Sequence, residues 1–240
     1  MINVLIWTEY YSDKDNEDAV KVYPNGIHSE LNAFLSKEND FRVVTATMHE
    51  PEFGLSKERI AWADVILWWG HGAHDQVPDE IADQVVDAIL KGCGFIPLHS
   101  SHNSKPFKKL MGTACNLRWR ADDRERIYTI APHHQIAEGV PDVFDIPTEE
   151  MYGERFDIPT PTEIIFLGWF AGGELFRSGV TFERGYGKIF YFQPGHETCP
   201  TFKIPEVQQI IKNAVFWAAR REHRPQLDSS TPNIPPEGMK

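Results

Sequence analysis

The first half of the chain alternates short apolar runs with amphipathic segments, and this alternation restricts the fold more than any other feature. The apolar runs predict β-strands over residues 3–7, 41–47, 65–69 and 95–98. The segments between them have apolar residues at helical spacing and predict helices over residues 26–37, 56–63, 79–91 and 104–110. Strands separated by such helices form right-handed crossovers. The sequence therefore predicts an α/β fold with a mostly parallel sheet flanked by helices.

The second half has a different pattern. Strand-like runs alternate there with glycine-rich turns, and they cover residues 117–120, 127–131, 163–170, 179–183 and 188–193. Residues 205–221 carry apolar side chains at helical spacing. We therefore expect an added β-rich region and a final helix, with residues 1–222 in a single domain. Residues 223–240 are rich in proline and predict either a disordered tail or an arm on a neighbouring subunit of a homo-oligomer.

The charge of the chain excludes two classes of partner. The 240 residues carry a formal net charge of −11 at pH 7, and no large cluster of lysine and arginine is present. A protein that binds nucleic acid or an anionic membrane surface needs a basic face. We therefore expect neither partner.

The N-terminal residues and the cysteines indicate the compartment. The chain enters an apolar run without a preceding basic region, which predicts a buried strand rather than a signal peptide. No apolar stretch approaches the roughly 20 residues that span a bilayer. Three widely spaced cysteines predict no disulfide framework. We expect a cytoplasmic protein, and no motif indicates a nucleotide cofactor.

Histidines follow three of the predicted parallel strands. His71 follows the third strand, and His99 and His102 follow the fourth. His196 follows the last strand of the second half. Ligands bind at the carboxyl ends of strands in open α/β sheets, and histidine both transfers protons near neutral pH and binds transition metals. The pattern predicts one shared site.

The turn after the fourth predicted strand contains two serines between two histidines. In hydrolases with a nucleophile elbow, such a turn presents a nucleophile beside the N–H groups of a helix. This hypothesis places His99 or Ser100 at the elbow and His102 one turn further on. The alternative is that the serines only cap the helix and that His99 is a hydrogen-bonded core residue.

Acidic residues accompany the last histidine and a segment of the second half. Glu197 stands next to His196, as an orienting carboxylate stands beside a catalytic base, although adjacent side chains normally point apart. The run at 149–152 contains Glu150 and Tyr152. Such a run is usually a solvated face, and the alternative is that these two residues line a polyol pocket.

Five segments carry a resemblance to a known family. They are Trp-Trp-Gly-His-Gly-Ala-His at 68–74, Pro-Leu-His-Ser-Ser-His at 97–102, Glu-Glu-Met-Tyr-Gly-Glu at 149–154, Phe-Arg-Ser-Gly at 176–179 and Pro-Gly-His-Glu-Thr at 194–198. The chain resembles the ThuA-like (trehalose utilisation) family. The resemblance implies a flavodoxin-like fold of the class I glutamine amidotransferase type with an added β region. It also implies a role in bacterial sugar metabolism, on trehalose-type disaccharides or their keto derivatives.

The chain departs from the amidotransferase pattern at the elbow. True amidotransferases carry a cysteine there, whereas this chain has His99 and Ser100. Glutamine hydrolysis through a thiolate is therefore not expected. His134 aligns with a histidine of the family pattern, but its neighbours His133 and Gln135 differ from that pattern.

The leading hypothesis is a small-molecule enzyme that acts on a carbohydrate, with a divalent ion, zinc first. Its candidate residues fall into three groups: catalytic His99, Ser100, His102, His196 and Glu197; substrate-binding Trp68, Trp69, His71, Glu150 and Tyr152; and metal-binding His28, His102, His134 and His196. Two alternatives stay open. One is a metal-independent hydrolase that uses Ser100 with His196 as base, and the other is a non-catalytic sugar-binding protein.

Overall fold

The computed structural model describes residues 1–219, so the proline-rich segment at 223–240 lies outside the described residues. Within that range the strands are β1 Ile2–Thr8, β2 Phe41–Thr47, β3 Val65–Trp69, β4 Gly94–Leu98, β5 Arg118–Thr129, β6 Val143–Gly153, β7 Glu163–Phe170, β8 Leu175–Arg184 and β9 Gly187–Phe192. The α-helices of the same range are α1 Ser12–Asp15, α2 Glu17–Val22, α3 Ile27–Leu35, α4 Lys57–Trp62, α5 Asp79–Leu90, α6 Lys105–Met111 and α7 Pro205–Ala218. None of these helices has the length and apolar character needed to cross a membrane.

All the strands join one sheet that has a parallel part and an antiparallel part. The strand order is β2-β1-β3-β4-β9-β8-β7-β5-β6. Neighbours from β2 to β9 are parallel. When β9 is counted as the fifth parallel strand, their order is 2-1-3-4-5, which is that of flavodoxin-like sheets. Neighbours from β9 to β6 are antiparallel. The predicted fold class, with its added β-rich region, is therefore confirmed.

The parallel strands are buried on both faces because successive side chains alternate. In β3, Val65, Leu67 and Trp69 point into a core formed with α3 and α7. Ile66 and Trp68 point into a second core beneath α4, α5 and α6. A strand covered on both sides carries an unbroken apolar sequence, which explains the composition of β3.

Loops of the parallel part and of the antiparallel part of the sheet lie at the same edge, where the parallel strands end. β1, β3, β4 and β9 end at this edge, because they run parallel. β5 begins there and β6 ends there, since the antiparallel pairing reverses direction at each step from β9. Trp119 of β5 pairs in register with Tyr152 of β6. The loops of the parallel strands therefore face side chains of the added β region.

Candidate functional site

Folding brings three imidazole rings from separate parts of the chain together. His71, His99 and His196 follow β3, β4 and β9, and their ring centroids lie 5.8, 5.0 and 5.4 Å apart in the three pairs. The distances are short because these strands end side by side at one edge of the sheet. The imidazoles that the sequence places at three strand ends do lie in one site.

Two of these histidines and a glutamate have the arrangement of a metal-binding group. His71, Glu150 and His196 each offer one ligand atom, and these atoms lie within 4.8 Å of one another. Glu150 is supplied by β6 of the antiparallel part. Two imidazoles with one carboxylate are a donor set of catalytic zinc sites and of other transition-metal sites that keep open positions. The group can therefore hold a divalent ion.

The carboxylate of Glu197 orients the imidazole of His71. The Nδ1 atom of His71 lies 2.8 and 2.7 Å from the two oxygens of Glu197. Burial is the largest single effect and raises the pKa of Glu197, but the hydrogen bond from His71 and the charge interactions with His71 and His196 together outweigh burial and lower the pKa to about 2. Because Nδ1 donates to this carboxylate, Nε2 of His71 is left to bind a ligand. A carboxylate behind a ligating histidine is a common second layer of metal sites.

His99 occupies the turn that carries the nucleophile in hydrolases, but it is a buried partner of Glu150. Its φ of 51° places it in the left-handed region. Its Nδ1 donates to the carbonyl of Gln193 at 2.9 Å, and its Nε2 lies 3.1 Å from a Glu150 oxygen. Burial is the largest single effect and lowers the pKa of His99, but the hydrogen bond with Glu150 and the charges of Glu150 and Glu149 together outweigh burial and raise the pKa to about 9. The ring is fully buried, so His99 is a positioning residue and not the predicted catalytic one.

Ser100 lines the site, but no base activates it. Its hydroxyl lies 3.0 Å from the hydroxyl of Tyr152, and burial raises the pKa of Tyr152 well above its usual value. A neutral phenol cannot remove the proton of a serine. His196 bonds Thr198 at 2.8 Å instead, and no hydrogen bond joins Ser100 to a histidine within residues 1–219. The pair that the metal-independent hydrolase requires is therefore not formed.

His102 is a neutral hydrogen-bond acceptor beside the candidate metal-binding group. Its Nδ1 donates to the carbonyl of Cys115 at 2.8 Å, which leaves Nε2 as the acceptor. Burial lowers the pKa of His102 to about 3. The ring lies edge-on to Tyr152 and Phe156. His102 is outside the group of ligand atoms, so its predicted role as a metal ligand is wrong, whereas its position can orient a substrate hydroxyl.

Two clefts meet above the metal-binding group. The first cleft, of about 480 Å³, is lined by His71, Ser100, His102, Asn103, Asn116, Leu117, Trp119, Ala121, Glu150, Tyr152 and His196. The second cleft, of about 540 Å³, is lined by Asp18, Lys21, Val22, Ala121, Asp122, Glu150, His196, Thr198 and Cys199. Ala121, Glu150 and His196 belong to both. A molecule that extends across both clefts would therefore pass over the candidate ligands.

A buried glutamate after β1 holds the loop that carries His71. The carboxylate of Glu9 accepts hydrogen bonds from the backbone N–H of Gly72 at 2.6 Å and of Ala73 at 2.9 Å. Only 1% of Glu9 is exposed. Sequence reasoning missed this residue, although the signal was the same as for the histidines: a polar side chain directly after a buried parallel strand.

Glu149 has the same function for the loop that carries His196. Its oxygens accept from the N–H of Gly195 at 2.8 Å, from the N–H of His196 at 3.0 Å and from the hydroxyl of Thr201 at 2.6 Å. The acidic run at 149–152 is therefore part of a buried strand and not a solvated face. Of its members, Glu150 and Tyr152 line the first cleft as the substrate-pocket alternative expected.

The two tryptophans predicted to stack on a sugar are core residues. Trp68 is 1% exposed and Trp69 is fully buried. The side chains alternate along β3, and because both faces of this strand are covered, neither indole reaches a cleft. The indole N–H of Trp69 donates to the carbonyl of Gly195 at 2.9 Å. The predicted substrate-binding role of Trp68 and Trp69 is wrong.

Two of the predicted metal ligands lie elsewhere. His134 follows the far end of β5, where its Nδ1 accepts from the N–H of Ile136 and its ring contacts Trp217. His28 lies beside β1, and its Nδ1 is 3.3 Å from the hydroxyl of Thr8. Neither lines the two clefts. Both predictions are wrong, because each histidine caps or packs locally.

The chain matches a known protein family over nearly its whole length. The ThuA model, described as trehalose utilisation, matches residues 3–218. The chain belongs to the ThuA family. That description links the family to trehalose utilisation and hence to carbohydrate metabolism. No curated protein sequence matches the chain significantly.

Solved structures share the fold at low identity. A protein described as ThuA-like from Parabacteroides merdae is 15% identical, with a TM-score of 0.67 over 94% of this chain and 93% of its own. A cytoplasmic protein from Salmonella typhimurium is 14% identical, with a TM-score of 0.63 over 91% of this chain and 99% of its own. The glutaminase domain of the Trypanosoma brucei CTPS is 9% identical, with a TM-score of 0.50 over 92% and 96%. These likenesses agree with the amidotransferase-like fold.

Proposed function

We propose that this protein is a cytoplasmic enzyme that acts on a small carbohydrate, a trehalose-type disaccharide or a keto-sugar, with the help of a divalent metal ion. The ligands of the ion are His71, Glu150 and His196. The observation that carries this proposal is the convergence of their three ligand atoms to within 4.8 Å of one another at the junction of two clefts. Family membership supports the substrate class.

The donor set and its surroundings fit a divalent ion. Glu197 holds the outer nitrogen of His71, and His99 holds Glu150 from its buried side. Ligands that are fixed by such partners lose little freedom when an ion binds, and loss of the partner weakens binding. Zinc is the first candidate, because imidazole and carboxylate ligands suit it and three protein ligands leave a position open.

The residues around the group supply binding and orientation. A divalent ion polarises a carbonyl oxygen or lowers the pKa of a bound water. The Nε2 atom of His102 accepts a hydrogen bond from a substrate hydroxyl, and the hydroxyl of Ser100 donates one. The first cleft has the volume of a small-molecule site. In this assignment His71 and Glu150, predicted as substrate-binding residues, become ligands.

The test begins with metal binding to protein that is purified without a histidine tag. After treatment with a chelator, calorimetric titration with zinc should give one site per chain. His71→Ala and His196→Ala should each abolish this site. His134→Ala and His28→Ala are matched controls, because they remove histidines that lie outside both clefts, and zinc binding should be unchanged. A wild-type protein without a stoichiometric site, or equal losses in all four variants, would refute the metal assignment.

Turnover separates an enzyme from the non-catalytic alternative. Trehalose, its keto derivatives and related glycosides should be incubated with the protein, with and without added zinc, and analysed for products. We expect products only with the metal-loaded wild type, and none with His71→Ala. Thermal stabilisation by a sugar without any turnover would instead support a sugar-binding protein.

A further inference from the structure

One aromatic side chain at the first cleft has no structural reason to be exposed. Trp119 on β5 lines this cleft with 66% of its surface exposed. The other tryptophans within residues 1–219 are buried or half-buried. A large exposed indole does not contribute its apolar area to the folded core, and exposed apolar surface at a cleft is typical of a binding site.

Polar side chains also line the first cleft, beside Leu117, Ala121 and Tyr152. The side chains of Asn103 and Asn116 offer amide donors and acceptors, His102 offers a neutral imidazole acceptor, and Ser100 offers a hydroxyl. A pyranose ring has an apolar face of C–H groups and an edge of hydroxyl groups. An aromatic plane that faces convergent hydrogen-bonding groups matches both surfaces of such a ring.

The second cleft has a different lining. Asp18, Lys21, Asp122 and Thr198 contribute charged and polar groups, and no phenylalanine, tyrosine or tryptophan of residues 1–219 lines it. It meets the first cleft at Glu150 and His196. A substrate with two units can therefore place one ring in the aromatic cleft and the other unit in the charged cleft, with the linkage between them above the candidate ligands.

We propose that Trp119 is the stacking platform for one sugar ring of a two-unit substrate, with the second unit in the second cleft. The inference rests on the proposed function for the nature of the substrate. It adds the residue that selects the ring and the direction in which the substrate lies. The pairing of Trp119 with Tyr152 across two strands fixes the platform relative to the site.

The experiment measures sugar binding by calorimetry with zinc-treated and chelator-treated protein, using trehalose and glucose as probes. Trp119→Ala should weaken binding of both sugars by about ten- to a hundredfold, because it removes stacking and apolar contact. Trp119→Phe should restore part of the loss. Tyr128→Ala is the matched control: it removes an exposed aromatic residue from the same strand, outside both clefts, and binding should be unchanged.

A second readout follows Trp119 directly. Acrylamide should quench its exposed indole in the free protein, and trehalose should protect it, whereas Trp119→Phe should lack this protected component. Unchanged sugar affinity in Trp119→Ala, or a wild type that binds neither sugar, would overturn the inference. Failure of the metal proposal alone would look different. The wild type would bind sugar but no zinc, and Trp119→Ala would still bind sugar more weakly than the wild type.

Discussion

Neighbouring glutamates on β6 have opposite roles because a strand turns successive side chains to opposite faces. Glu149 accepts three hydrogen bonds from the loop after β9. Glu150 faces the clefts and offers an oxygen to the candidate metal-binding group. Residue type alone predicts neither role. At this scale, function depends on which face of the strand a carboxylate occupies and on which N–H groups reach it.

We expect substitution of Glu197 to weaken metal binding more than it weakens folding. Glu197→Gln keeps the size of the side chain but removes the charge that holds Nδ1 of His71. Zinc affinity should fall by about 10- to 100-fold, as for other carboxylates behind ligating histidines, and calorimetric titration measures this. Glu163→Gln is the control, since that residue pairs with His133 away from the site. Equal zinc affinity in Glu197→Gln and wild type would contradict the orienting role.

We expect Asp13 to make the stability of the protein depend on pH. It is 1% exposed, and one carboxylate oxygen accepts from the N–H of Ile27. Burial, together with the charges of Glu9 and Glu197, raises its pKa from 3.8 to about 6. Asp13 therefore ionises at a lower pH in the unfolded chain than in the folded protein. The free energy of unfolding falls as the pH rises from the ordinary pKa of 3.8 to the raised value of about 6.

The variant Asp13→Asn removes this ionisation. Its free energy of unfolding relative to wild type should therefore increase by up to about 3 kcal/mol between pH 4 and pH 7. Urea unfolding of both proteins at a series of pH values measures the difference. A difference that stays constant over this range would show that Asp13 keeps its ordinary pKa.

At the scale of elements, the sequence predicts the parallel strands and the antiparallel strand β7, but not the full extent of β5 and β6. β2, β3 and β7 begin and end at the predicted residues, because burial on both faces, or a clear alternation, leaves a strong signal. β5 was predicted as two pieces, since its polar middle contains shifts in register. β6 was missed because proline and glutamates interrupt its apolar pattern. Its burial comes from the rest of the sheet, which local sequence does not reveal.

The loop after β9 should depend on the carboxylate that holds it. Glu149→Gln replaces an acceptor-only group by one that donates towards N–H groups, so at least one hydrogen bond is lost. We expect a loss of about 2–3 kcal/mol in unfolding free energy and faster amide hydrogen exchange at Gly195 and His196. Glu183→Gln, at an exposed position of β8, is the control. Unchanged exchange at both amides would contradict this role.

At the scale of the whole molecule, the general location of the candidate site was predictable and its composition was only partly so. Parallel topology places His71, His99 and His196 at one edge, which follows from the order of strands and helices. The added β region supplies Glu150 and Trp119 to the same edge, and this depends on antiparallel pairing over long sequence distances. The prediction for His134 fails for the same reason. β5, which precedes His134, begins at the site and ends at the opposite end of the sheet.

The packing of α7 on the sheet should be sensitive to a single methyl group. A Cβ on Gly94, where β4 begins, would lie 2.4 Å from the carbonyl oxygen of Ala218 and 2.8 Å from its carbonyl carbon. These are backbone atoms of the last residue of α7, so at least this end of the helix must shift to make room. Gly94→Ala should therefore lower the free energy of unfolding by about 1–3 kcal/mol or more, as measured by urea unfolding.

Gly153→Ala is the matched control, because a Cβ there would meet only side-chain atoms, 3.4 Å away or further. Its stability should stay within about 0.5 kcal/mol of wild type. The folded fraction of Gly94→Ala should still bind zinc, because the methyl group lies at the amino end of β4 and the ligands lie beyond its carboxyl end. Equal stability of the two variants would mean that α7 can shift to accommodate the methyl group without loss of stability. The edge of the sheet that carries the site would then not depend on the position of this helix.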